Sequence, residues 1–233
     1  GWGSGFLPAA EESGERAFTA QVGPLGTDVA MTIEPETIWT AVGSDIGASV
    51  DWGEDARVHI TASIGVAAGT TLTVGAGSVV KLGPGVAVTV DGTLRVDGTR
   101  ARPVVFLPES RSAPWGGLRF RTSASRAELQ GAILTGSGAD PEWFDNNAGV
   151  GSSHRKEEPC IYLQNGARAT LTDCAAIDSP GQFGHSEGSY LSMTRCLVQK
   201  FVPAGQFNGG TLNFTDSAFV EFPSLAAPFK DAD

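Results

Sequence analysis

The chain has 233 residues, a formal net charge of −10, 31 glycines and only 18% charged side chains. So acidic a surface repels a polyanionic backbone and argues against nucleic acid as a partner; the pair Arg155-Lys156 is followed at once by Glu157-Glu158. Glycine every few positions, each costing roughly 1 kcal/mol in a helix interior, excludes a helical protein, and no apolar run approaches the roughly 18 residues of a membrane span.

Residues 1–20 are rich in Gly, Ser and Glu and read as a linker or arm. Between 18 and 50 lie short alternating apolar stretches such as Val29-Ala30-Met31-Thr32-Ile33, suited to capping the first turn of a solenoid against edge-to-edge pairing. Residues 1–55 are therefore expected to form an N-terminal arm and cap, and residues 56–233 the body.

From residue 58 to 106 a repeat emerges by subtraction. Ile60, Leu82 and Val104 lie 22 apart, and so do Ile64 and Val86, Val66 and Val88, Thr71 and Thr93, Leu72 and Leu94, and Val74 and Val96. At about 3.3 Å per residue, 22 residues make three short strands and three bends, which is one turn of a parallel solenoid. The second half repeats again. Leu171-Thr172-Asp173-Cys174, Met193-Thr194-Arg195-Cys196 and Phe214-Thr215-Asp216-Ser217 align at steps of 22 and 21, with Leu129 in the same column 42 residues upstream. That double step predicts that residues 136–159 replace or decorate one turn. Leu171, Met193 and Phe214 are expected to point inward, with Cys174, Cys196 and Ser217 stacked beside them, the thiols reduced. The polar-Gly pairs starting at Asn165, Glu187 and Asn208 mark a stacked bend. The chain closes just after a complete turn, so a module of a longer protein is expected.

The runs VAAGTTLTVGAGSVVKL, VTVDGTLRVDGT, RPVVFLPE and PWGGLRF, followed by LTDC, MTRC and FTDS, resemble the right-handed parallel β-helix repeats of large secreted bacterial proteins. The resemblance covers roughly residues 56–222. It implies an all-β right-handed parallel β-helix in a secreted or surface-attached protein, joined to further domains of the same polypeptide. It implies no activity, because such repeats serve adhesins, scaffolds and polysaccharide-active enzymes alike.

Chemistry is sought first in the insertion, since long loops on a rigid scaffold commonly carry function. Trp143 and Phe144, exposed beside carboxylates, are candidate sugar-stacking groups, with Arg155 and Lys156 as substrate contacts. Asp140, Glu142 and Asp145 are candidate Ca²⁺ ligands, although their spacing is not that of an EF-hand. His185, expected between Leu163 and Gln206 on neighbouring strands, is a candidate general base oriented by Glu187. Asp173 and Asp216 are a candidate acid pair, with Arg195 between them making an Asp–Arg–Asp charge ladder the competing reading. No other cofactor is expected. The leading expectation is a non-catalytic extracellular module, a rigid scaffold or a platform for a polysaccharide or cell-surface glycan; the alternative is a polysaccharide lyase or glycoside hydrolase.

Overall fold

The computed structural model describes residues 14–22, 25–33, 38–146, 157–202, 204–222 and 229–230. Two compact units divide the chain between Trp39 and Thr40. In the first, Gly14–Val22 and Leu25–Ile33 form an antiparallel hairpin in full register, Phe18 opposite Val29. Residues 14–20, expected as part of an arm, are therefore strand, and Val29–Ile33 belongs to the hairpin's second half.

The second unit is all-β apart from the helical turn Trp143–Asn146, and every ladder between its named strands is parallel. Its strands fall into three ranks that the chain visits in a fixed cyclic order. Arg57–Ile60, Ile64–Val66 and Thr71–Gly75 are followed by Val79–Leu82, Val88–Val90 and Thr93–Asp97, each pairing with its counterpart in the circuit before. Parallel strands begin earlier than residue 56, with Thr40–Val42 on Arg57–Ile60 and Val50–Asp51 on Thr71–Gly75. The alternation of side chains explains the core. Leu72, Val74, Leu94, Val96, Leu129, Leu171, Leu191 and Met193 are buried, while the residues between them on the strands are partly or fully exposed. In the last circuit the same inward column reaches Phe214, which is 37% exposed.

Circuit length varies, and this corrects part of the sequence register. Leu72 pairs with Leu94, Val74 with Val96, Thr71 with Thr93 and Ile60 with Leu82, as the 22-residue step requires. Ile64, however, pairs with Val88 and Val66 with Val90, steps of 24, and Leu82 pairs with Pro108, not Val104. The bend after Leu82, through Gly83-Pro84-Gly85, is two residues longer than the bend after Ile60, and the next bend is two shorter. A slip of two, or of four at Leu82, preserves the inward-outward alternation, so apolar still matches apolar at the wrong partner. The 42-residue step resolves differently. Leu129 pairs directly with Leu171, so residues 136–159 lengthen one bend and replace no circuit.

The bend after the Arg168–Thr172 rank turns on residues with left-handed backbone: Gly131, Asp173, Arg195 and Asp216, at φ 58°, 53°, 54° and 51°. An L side chain is disfavoured there by roughly 1–2 kcal/mol, least for Asp. The residue after each non-glycine member offsets part of that cost. Cys174 Sγ donates to Thr172 O, Cys196 Sγ to Thr194 O, and Ser217 Oγ to Thr215 O, the carbonyl two residues back. Asp178, Lys200 and Glu221, at the end of the neighbouring rank, are left-handed too, at φ 53°, 56° and 56°. Charges alternate along both columns, so stacked like charges are avoided.

One strand departs from the pattern. Gln182–Thr194 runs unbroken for 13 residues, its first part on Pro159–Leu163 and its last part on Arg168–Thr172. It thereby joins two ranks that are separate in earlier circuits, and Gly205–Thr215 follows it along nearly its whole length.

Candidate functional site

In the rank containing Leu118–Phe120 and Pro159–Leu163, the positions that face away from the core are Arg119, Tyr162, His185 and Gln206, each the register partner of the next. His185 is thus flanked by Tyr162 and Gln206, not by Leu163. The bend after Leu163 holds one residue more than the bend after Ser186, which makes the step 23 on that side. Outward residues of a parallel rank normally meet water, yet Tyr162, His185 and Gln206 are buried. Part of the reason is the helical turn of the insertion. Trp143, expected to be exposed, is 2% exposed and packs edge-on against Tyr162 at 4.9 Å and His185 at 6.0 Å between ring centroids.

Local hydrogen bonds hold that turn in place. Asp140 accepts from Glu142 N at 2.9 Å through Oδ1 and from Asn146 Nδ2 at 2.9 Å through Oδ2, so its carboxylate caps the turn. Glu158, 3% exposed, accepts from Asp140 N at 3.1 Å and from Arg119 Nη2 at 2.5 Å. Burial pushes its carboxyl above the ordinary range even though Arg119 pulls it down. The Arg119 guanidinium in turn lies 5.9 Å from the Trp143 ring centroid.

His185 Nε2 is 2.8 Å from Glu187 Oε1, which also accepts from Asn208 Nδ2 at 3.1 Å. Burial draws the imidazole pKa below its ordinary value, against the pull of Glu187. A neutral ring donating from Nε2 leaves Nδ1 as an acceptor, and Nδ1 and the Tyr162 hydroxyl have no partner among the described residues. Because the folded state binds this proton more weakly than the unfolded chain, His185 contributes stability that is complete above about pH 6.5 and lost as pH falls below it. The unfolding temperature should therefore drop between pH 7 and 5.5, and His185→Gln should flatten that dependence. An identical slope in the variant would assign the effect to another group.

The other expected residues lie elsewhere. Asp173 is clamped by Arg195, with Nε and Nη2 at 2.8 and 2.7 Å, and by Arg100 at 2.7 Å; these guanidinium groups hold its carboxyl far below the ordinary range. Asp216 is one circuit beyond Arg195 on the same bend, so the charge ladder describes this pair. Phe144 is half-buried and Glu142 exposed. Arg155, Lys156 and the Asp145 side chain lie outside the described residues, among which no group of three or more His, Cys, Asp or Glu side chains converges. Tyr162 and Arg119 escaped sequence reasoning, and Glu158 was read only as one of the charged residues of the insertion. One signal was present: Cys160-Ile161-Tyr162-Leu163 lacks the polar alternate of the other strands, as a strand covered on both faces does.

The rank built from Thr93–Asp97, Arg126–Gln130 and Arg168–Thr172 has an open outer face. Arg95, Asp97, Glu128, Gln130, Thr170 and Thr172 line a shallow groove of about 360 Å³ along it. Beside the groove, Arg168 stacks over the exposed ring of Tyr190 at 4.0 Å. No family model, curated protein or solved structure matches this chain.

Proposed function

We propose that the chain is a non-catalytic module built as a right-handed parallel β-helix, a rigid scaffold whose open wall serves as a platform for a glycan or other polar polymer outside the cell. The cyclic order of parallel strands and the left-handed bend residues support the β-helix reading; the location rests on the sequence resemblance alone. The observation that carries the function is a contrast between two outer walls. Over one, His185 is 0% exposed and has Trp143 packed against it; over the other, a mixed row of donors and acceptors stays open along three circuits. Strand neighbours step about 4.8 Å, so such a row presents repeated hydrogen-bonding groups to an extended chain. Asp173, bound by two arginines, is held ionised and is a poor general acid.

The second reading, a polysaccharide lyase or glycoside hydrolase, rests on the His185–Glu187 hydrogen bond. One screen separates the two. Purified chain is incubated with pectin, alginate and neutral glucans, with and without Ca²⁺, and both product release and unfolding temperature are followed. A rise in unfolding temperature with at least one glycan and no product is expected. Release of reducing ends or unsaturated uronates, abolished by His185→Ala, would replace this reading with the enzymatic one. A rise that needs Ca²⁺ would point to Asp140, Glu142 and Asp145.

A further inference from the structure

Cys174 and Cys196 occupy equivalent places in successive circuits. Ala175 pairs with Leu197, and Leu197 N donates to Cys174 O at 3.0 Å, so the two cysteines are neighbours in one inward column. Both are free, and they are 5% and 4% exposed. Parallel register keeps their Cα–Cβ bonds side by side and separated by the strand spacing of about 4.7–4.9 Å. That spacing is poorly suited to a disulfide, whose S–S bond of about 2.05 Å requires Cβ atoms about 3.8 Å apart and converging. It is well suited to something else. A metal–thiolate bond is about 2.3 Å, so a linear sulfur–metal–sulfur unit spans about 4.6 Å along the stacking direction, and side-by-side Cβ–S bonds meet that axis at a wide angle from both ends.

We propose that Cys174 and Cys196 form a two-coordinate site for a soft closed-shell cation such as Cu(I). Two thiolates select soft cations, and a site offering only two ligands suits those that accept linear coordination. Binding breaks two S–H bonds, forms two metal–sulfur bonds and releases two protons, with no electron transferred. The backbone is prepared for that loss. Thr172 O and Thr194 O, which accept from the thiols, also accept from Gly131 N at 2.9 Å and Asp173 N at 3.0 Å, so each keeps a partner when the thiol proton leaves. A monovalent cation between two thiolates leaves one negative charge; Arg195, beside Cys196, is at the same time paired with Asp173.

Silver(I), which is redox-stable and also accepts linear coordination, is the probe. The folded chain should take up one silver ion in calorimetric titration, release protons as it does so, and unfold at a higher temperature. Cys160→Ser should keep the site. Cys174→Ser and Cys196→Ser should each lose it while remaining folded, since Ser217 fills the next place in the column with the same bond to the carbonyl two residues back. On the wild-type protein alone, X-ray absorption should give two sulfur neighbours per silver. Uptake unchanged in either serine variant, one silver per cysteine, or ready conversion of the pair to a disulfide by oxidised glutathione would each overturn the proposal.

Discussion

Replacing Trp115 by alanine should lower the stability of the parallel unit by about 3–5 kcal/mol. The side chain is 0% exposed, and its indole Nε1 donates to Thr135 O at 2.7 Å. Truncation removes the largest fully buried side chain among the described residues and opens a void that fixed strands cannot close. It also strips a donor from a carbonyl, adding roughly 1 kcal/mol. The glycines that follow show how tightly the site is built. A Cβ on Gly117 would sit 2.1 Å from Pro159 O, and one on Gly116 would sit 2.9 Å from Glu158 Oε1. Trp115-Gly116-Gly117 is thus a unit in which the indole fills the interior and two bare backbones let the next circuit approach. Urea titration followed by far-UV circular dichroism measures the loss; Trp115→Phe should lose less than half as much, and a cost under about 1 kcal/mol for alanine would show that the interior collapses around the gap.

The second large effect is expected at Arg119. Arg119→Met leaves the Glu158 carboxylate buried with only the Asp140 amide as partner, a change worth about 3 kcal/mol when one half of a buried pair is removed. The cost must depend on pH with a definite sign. Glu158 already has a raised pKa in the folded protein, and loss of the guanidinium raises it further. A raised carboxyl pKa means that the folded state holds the proton more tightly than the unfolded chain, so stability declines as pH rises above the ordinary glutamate range. Arg119→Met should therefore be much more damaging at pH 8 than at pH 5. Arg119→Met with Glu158→Gln should recover most of the loss, because a neutral amide needs no counter-ion. Equal cost at both pH values would mean that the arginine acts through packing on Trp143 and not through charge.

The sequence was most legible where bends keep constant length. Leu72 over Leu94 and Val74 over Val96 were readable because the intervening bends sum to the same count. The columns of Leu171, Met193 and Phe214, and of Cys174 and Cys196, were readable for the same reason. Ile64 and Val66 were misassigned because a glycine-proline bend gains two residues and the next loses them, and Leu82 because four more residues separate Asp97 from Val105 than Gly75 from Val79; period-two alternation hides such even slips. The site was less legible than the fold. His185 and Glu187 were found from residue type, and their hydrogen bond exists, but Tyr162 was hidden by a single-residue difference between bends. The burial of Trp143 follows from a helical turn capped by Asp140, and four-residue turns leave little periodicity in a sequence. For Asp173 and Asp216 the charge ladder was the favoured reading and an acid pair the other, and the arginines around Asp173 bear out the ladder.

The unbroken strand Gln182–Thr194 has a mechanical consequence. In the earlier circuits, neighbouring ranks are joined only through bends, so one rank's hydrogen bonds can open while the next stays closed. Here a single extended segment, with Gly205–Thr215 laid along it, stitches two walls into one continuous ladder. Separating Gly205–Thr215 from Gln182–Thr194 then disturbs both walls. The last circuits behave as one cooperative block, stiffer against peeling than a stack of independent turns of the same length.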